Sequence, residues 1–339
     1  MFKTSLASLV LVILLCVSCK SKTNLNQNIE GAWIQAYYQY NSEYKDPSGT
    51  KFFLNFKDNK VRIKKIIINN KDKAIDTIVN FTLKDGKITY GNDASNIMEV
   101  KVTKDSLVMT SNYSQPIHTV FKRLSTNSKK VHWNPKGKEY VTSQAREKIY
   151  YDFVNDTEMH FRSKEIGLLT KTNWEIQHIN DYTFLVYESE FYSDEETGVL
   201  YVLLDSLAGN KVYVTDYIFG NKQYVFEEQE IAHKKPRLLF GTWKLVSKEE
   251  IVQHTTQIES PGSMNGLDKL YIEEDSIIIN RPPFKPKVGW KYYEDDKTII
   301  LKKLNRVLQV SKVSKDSLVL EMDLSQYGFD NKRFTFIRE

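Results

Sequence analysis

The sequence predicts an all-β protein made of three tandem copies of an eight-stranded antiparallel unit, and three observations predict it. The segment Lys104-Asp105-Ser106-Leu107-Val108-Met109 returns as Lys315-Asp316-Ser317-Leu318-Val319-Leu320. Short runs of β-branched and aromatic residues alternate with Asp, Asn and Gly pairs, the pattern of strands joined by tight hairpins. Long stretches with apolar residues at helical spacing are nearly absent.

In the first copy this punctuation places strands at 32–39, 51–57, 60–69, 76–84, 87–92, 96–103, 106–112 and 118–124. The turns between them include Asp58-Asn59, Asp85-Gly86 and Lys104-Asp105, residues that tolerate the left-handed backbone of a hairpin. The third copy repeats the order at 242–254, 269–274, 276–282, 287–294, 297–304, 307–314, 317–324 and 332–338, with turns at Glu274-Asp275, Asp295-Asp296 and Lys315-Asp316. A diverged middle copy aligns through Gly209-Asn210-Lys211-Val212-Tyr213-Val214-Thr215, which falls without a gap on Lys104 to Thr110. Upstream, Asn155-Asp156 and Asn180-Asp181 stand where the other copies have their first two Asp turns.

The copies run over 31–124, 131–230 and 241–339, and His233 to Leu238 reads as a linker. A unit of about 100 residues can bury its own core, so three tandem domains are expected rather than one stacked array.

Two copies open alike, with Gly31-Ala32-Trp33 and Gly241-Thr242-Trp243. This tripeptide at a first strand resembles the Gly-x-Trp signature of lipocalins and of the lipocalin-like domains of bacterial lipoproteins. The resemblance implies that Trp33 and Trp243 close the barrel floors. It also implies that a basic residue of the last strand lies across each Trp, and Arg123 and Arg338 occupy that place. The middle copy departs from the pattern, since Val131-His132-Trp133 lacks the glycine and Phe226-Glu227-Glu228 ends in acids.

The N-terminus reads as an address. Met1-Phe2-Lys3 precedes the apolar run from Leu6 to Leu15, which has the length of a signal-peptide core and is too short for a stable membrane span. Cys16-Val17-Ser18-Cys19 follows, and Ser18-Cys19 resembles the lipobox of bacterial lipoproteins. That resemblance implies a signal peptide over 1–18, lipidation at Cys19 and a lipidated tether over 19–30. Lys20-Ser21-Lys22 lacks an acidic run resembling a surface-export signal, so the expected place is the outer membrane, on its periplasmic face. A cleaved secretory signal is the alternative reading. The chain has only 2 cysteines, so a body cleaved at Cys19 contains no disulfide and relies on packing.

Charge excludes more than it assigns. Forty-eight basic residues against 43 acidic ones give a net charge of +5, with both signs interspersed. Nucleic-acid recognition needs a concentrated basic face, so nucleic acid is not an expected partner. No His-Glu-x-x-His, no Gly-x-Ser-x-Gly elbow and no phosphate-cradling Gly-rich loop is present. The sequence therefore names no catalytic residue, metal ligand or cofactor. An Asp followed by Ser or Thr and an aliphatic residue recurs at Thr77, Ser106, Ser206, Ser276 and Ser317. The motif resembles an O-glycosylation site of exported proteins in one group of Gram-negative bacteria, and it equally suits a hairpin turn.

Two functional expectations remain open. One is a non-catalytic binding module holding a small apolar or glycan ligand in a barrel; Tyr37, Tyr38, Tyr40, Trp290, Tyr292 and Tyr293 then line a cavity rather than pack a strand face. The other is an envelope scaffold, inhibitor or immunity lipoprotein acting through protein contacts. An open lumen separates the first from the second.

Overall fold

The computed structural model describes residues 29–339 except 41–43, 48, 69–73, 92–96, 112–114, 145–146, 164–168, 189–197, 230–232, 252–266, 295–296, 302–305 and 323–330. Cys19 and the signal segment lie outside the described residues. The chain divides into two compact units, Met1–Val131 with Ile176–Asp205 and Thr215–Gln223, and His132–Glu175 with Ser206–Val214 and Tyr224–Glu339.

The first copy forms β1 (Gly31–Tyr40), β2 (Tyr44–Asp46), β3 (Lys51–Lys57), β4 (Lys60–Ile66), β5 (Asp76–Lys84), β6 (Lys87–Tyr90), β7 (Ile97–Val102), β8 (Ser106–Ser111) and β9 (Ile117–Arg123). β1 pairs with both β2 and β3, consecutive strands pair from β3 to β9, and β1 pairs with β9 to close the barrel. The eight expected strands are all present, and β2 is an addition. It lies in line with β3 along one edge of β1, with Tyr38 opposite Asp46 and Ile34 opposite Phe53. Its three residues include a Lys and an Asp, poor strand formers, so the pairing with β1 rather than local propensity makes it a strand. β6 stops before Gly91, whose φ of +65° leaves the strand region.

The middle copy forms β10 (Glu139–Gln144), β11 (Glu147–Asp152), β12 (Glu158–Ser163), β13 (Leu169–Ile179), β14 (Tyr182–Glu188), β15 (Val199–Ala208), β16 (Lys211–Asp216) and β17 (Lys222–Gln229), in a closed barrel. The third copy forms β18 (Gly241–Ile251), β19 (Lys269–Ile272), β20 (Ser276–Asn280), β21 (Lys287–Tyr293), β22 (Thr298–Leu301), β23 (Arg306–Val313), β24 (Ser317–Met322) and β25 (Asn331–Arg338), also closed.

One arrangement closes the first and third barrels. Trp33 stands opposite Arg123 across the β1–β9 seam, and Trp243 opposite Arg338 across the β18–β25 seam. The guanidinium carbons lie 4.0 Å and 4.2 Å from the indole centroids, within cation–π range. Each indole N–H donates to the carbonyl four residues earlier, Ile29 or Leu239, at 2.8 Å. Arg123 donates through Nε to the Lys104 carbonyl and through Nη1 to the Glu30 carbonyl, both at 2.6 Å. Arg338 does the same with Lys315 and Phe240, and its Nη2 reaches the Leu238 carbonyl. The repeated Lys-Asp-Ser turn is therefore an acceptor site. Its Lys carbonyl takes the arginine side chain, and its Asp carbonyl takes the arginine backbone N–H at 3.1 Å in both copies.

The glycine of the tripeptide follows from this packing. Gly31 and Gly241 have φ of +110° and +132°, and a Cβ at Gly241 would meet Arg338 Nη1 at 2.7 Å. Both barrels also carry a bulge after the Trp, between Gln35 and Tyr37 and between Leu245 and Ser247.

The middle barrel closes by other means. Its first strand begins at Glu139, after Trp133 rather than at it. Glu228 takes the place of the arginine and accepts from Tyr140 Oη at 3.3 Å and from Lys138 at 2.8 Å, while Trp133 Nε1 donates to Tyr140 Oη at 3.0 Å. Burial pushes the Tyr140 hydroxyl up to about 12; the indole donor opposes that rise and Glu228 adds to it. The Trp133 ring stacks on Phe226 at 6.0 Å.

In the first unit a second core forms on the outer face of β1, β3 and β4. There Ala32, Ile34, Phe53 and Ile66 pack against Tyr182, Phe184, Val186 and Tyr201.

Replacing Gly241 with Ala is expected to destabilise the protein more than replacing Gly209. Both positions have a positive φ that costs an L residue about 1–3 kcal/mol, but a Cβ at Gly209 meets nothing within 4 Å. Denaturant unfolding of the two variants checks the order.

Candidate functional site: an open layer in the first barrel and an ionic cleft

Alternation along the strands separates inward from outward residues. In β3 the inward set is Phe52, Leu54 and Phe56, which join a core with Trp33, Val61, Phe81, Ile88, Val100, Leu107 and Phe121. Phe52, Ile63, Val79, Tyr90 and Met98 pack against that core yet keep part of their surface open. Each sits one inward step farther from the Trp33 end than the buried Leu54, Val61, Phe81, Ile88 and Val100 of the same strands. Leu83 and Val102, one inward step toward the Trp33 end from Phe81 and Val100, are also only partly buried, so the fully buried layer lies between two partly exposed ones.

Tyr90 Oη lies 3.3 Å from Met109 Sδ, and burial raises its hydroxyl well above the ordinary value. Gln35 is fully buried, and among the described residues neither atom of its amide has a hydrogen-bond partner. The third barrel differs at the same level: Ile279, Val288, Leu301, Leu308, Met322 and Phe334 are all buried, and Leu245 replaces Gln35.

A second concave feature lies in the second unit, a cleft of about 290 Å³ lined from β10, β11, β12, β21 and β22. Lys291 Nζ donates to Glu139 Oε1 at 2.6 Å and Asp152 Oδ2 at 2.5 Å. His233 Nε2 lies 2.8 Å from the same Glu139 oxygen, and its Nδ1 lies 3.1 Å from the Tyr292 carbonyl. The Arg162 guanidinium is buried between two rings, 4.1 Å from Tyr150 and 3.9 Å from Tyr293. Glu158 pairs with His160 at 2.9 Å and Lys171 at 3.0 Å.

Burial opposes the charged form of Glu139, but His233 and Lys291 outweigh it and hold the carboxyl below its ordinary 4.5. Lys291 is held above 10.5: burial acts against its charge, and Asp152 and Glu139 outweigh that. Charges here answer one another across the cleft and join its walls. Among the described residues no three His, Cys, Asp or Glu side chains gather as a metal site.

The Asp-Ser/Thr positions fall in different settings. Thr77 and Ser206 are exposed on β5 and β15. Ser106 and Ser317 open their strands with Oγ 2.8 Å from Thr103 Oγ1 and Ser314 Oγ. Ser276 is buried and donates to Glu273 at 2.8 Å.

Sequence reasoning missed the cleft. Its members lie between Gly137 and Arg162 and between Lys291 and Ile300, with no local motif, and only the fold of the second unit assembles them.

No protein-family model matches the chain, and no curated protein does. Two solved structures align along most of it. A protein of unknown function from the DUF3598 family of Nostoc punctiforme PCC 73102 is 7% identical over 92% of this chain and 97% of its own, with a TM-score of 0.19. The DNA polymerase III beta subunit of Thermotoga maritima is 9% identical over 94% of each chain, with a TM-score of 0.18. Neither likeness bears on fold or function at such TM-scores.

Replacing Lys291 with Met leaves two mostly buried carboxylates without their cation and is expected to cost about 3 kcal/mol. The depressed Glu139 carboxyl stabilises the fold above its unfolded-state value of 4.5, and that contribution is lost as pH falls through its lower folded value. A Glu139→Gln variant is therefore less stable than the parent at neutral pH, and the gap narrows below about pH 4.5. Unfolding midpoints measured from pH 3 to 7, on the order of four points across that range, check both effects.

Proposed function

We propose that this chain is a lipid-anchored, non-catalytic binding module of the bacterial envelope, attached to the outer membrane through Cys19, with its first barrel taking a small apolar ligand. The observation that carries the reading is the partly exposed inward layer of Phe52, Ile63, Val79, Tyr90 and Met98 at the end of the first barrel away from Trp33. Eight-stranded barrels either fill their interiors or hold one small molecule, and the partial exposure of this layer supports the second case. Apolar chemistry is favoured over a glycan because four of these five side chains carry no hydrogen-bonding group other than a thioether.

A second reading, an envelope scaffold working through protein contacts, is favoured by the third barrel, where Ile279, Val288, Leu301, Leu308, Met322 and Phe334 are buried at the level that is partly exposed in the first. The two readings combine if the first barrel binds and the third supports.

Native mass spectrometry of the mature protein extracted from its own membrane tests both. The expected spectrum shows a diacylglyceryl adduct at Cys19 and a stoichiometric apolar molecule that is lost when Val79 is replaced by Trp to fill the layer. A co-purifying protein with no small molecule would favour the scaffold. An unmodified Cys19 and an empty chain would contradict the proposal.

A further inference from the structure

We infer that the hairpin tip between β20 and β21 is a contact site for an anionic lipid bilayer, a second point of membrane attachment whose relevance in the cell rests on the lipid-anchored reading above. The tip reads Arg281-Pro282-Pro283-Phe284-Lys285-Pro286 and leads into Lys287. Arg281 and Phe284 close it by exchanging backbone hydrogen bonds, N to O at 2.9 Å and 2.6 Å. Phe284 is 62% exposed at the apex, beside exposed Pro282, Pro283 and Lys285.

Three features select the partner. A large apolar ring held outward on a tight turn can enter the boundary between headgroups and acyl chains, the depth at which interfacial anchors sit. Three prolines fix the backbone, so little chain entropy is lost when the tip is immobilised. The seven residues Arg281 to Lys287 contain three cations and no acid, and anionic headgroups attract such a set.

Lys287 is partly committed, since it pairs with Glu273 at 3.1 Å. Lys285 and the Arg281 beside the Phe284 ring, 5.9 Å from its centroid, supply the rest of the charge. The turn at the other end of β20, Glu273-Glu274-Asp275, is acidic and suits water rather than the same surface. Ile78, which is 64% exposed, lies within β5 opposite Arg62, but there Asp76 pairs with both Arg62 and Lys64 and offsets their charge.

The sequence supplies its own probe. Cys16 and Cys19 are the only cysteines, and Cys16 leaves with the signal peptide, so in the mature lipidated chain the cysteine of Pro283→Cys is the single free thiol. A nitroxide attached there reports depth by its accessibility to oxygen and to a water-soluble relaxant. In nanodiscs of phosphatidylglycerol and phosphatidylethanolamine the label is expected to be shielded from the aqueous relaxant. In nanodiscs of phosphatidylcholine alone the shielding should fall. Lys285→Glu reverses one charge and should weaken the shielded population on the order of five-fold or more; Phe284→Ala should abolish it without altering the unfolding midpoint. A label equally water-accessible in both nanodiscs overturns the inference, as does shielding indifferent to lipid charge. Intact mass of the same sample reads acylation at Cys19 separately, so failure of the tip and failure of the lipid anchor are distinguishable.

Discussion

The first and third barrels share one contact, the arginine of the last strand lying over the tryptophan of the first. An eight-stranded sheet has two edges until its ends meet, and an unpaired edge exposes a row of backbone groups. Hydrogen bonds between the first and last strands remove the edge, but register has to be chosen. The cation–π pair favours the observed one, in which Trp33 stands directly opposite Arg123 and Trp243 opposite Arg338. The guanidinium then spends its remaining N–H groups on carbonyls that no strand satisfies, those just before the first strand and in the turn before the seventh. Burial depresses the Arg123 guanidinium below its ordinary value and the Asp105 charge opposes this, the balance expected of a cation set mainly among carbonyls and a ring.

The middle barrel isolates what is essential in that arrangement. It keeps the backbone bond from the seventh-strand turn to the last strand, Glu228 N–H to the Asn210 carbonyl at 2.8 Å, and inverts the side-chain chemistry. A carboxylate replaces the guanidinium, and a tyrosine carries the link between it and the indole. Closure therefore needs a polar bridge across the seam rather than one particular sign of charge. Trp133 also gains three aromatic neighbours, Tyr140, Phe153 and Phe226, so ring packing replaces the cation–π term.

Much of this was legible in the sequence because hairpins are local. Asp58-Asn59 and Asp85-Gly86 adopt the positive φ that their residue types announce, and the strands of the first and third copies lie close to the positions that those turns imply. The three-residue strand β2 was not legible, since only its hairpin pairing with the end of β1 just before it makes Tyr44-Lys45-Asp46 a strand. Nor was the open layer of the first barrel: Phe52, Ile63 and Val79 look the same in sequence as the residues that fill the third barrel. The Lys291 cleft was hidden for the opposite reason, because its charges are distant in the chain and read individually as solvated lysines and acids. The Lys-Asp-Ser repeat invites reading as a turn with a modifiable serine; its carbonyls carry the structural role, and that role leaves no trace in residue identity.

The most direct measurement of the account is a double-mutant cycle on Trp243 and Arg338 in the full chain, with Trp243→Leu, Arg338→Met and the pair compared by denaturant unfolding. The account predicts that the two changes are not additive, with a coupling of about 1–2 kcal/mol, because each removes the same contact. Additive losses would show that the arginine and the indole stabilise the barrel independently, and would contradict the claim that their contact closes it.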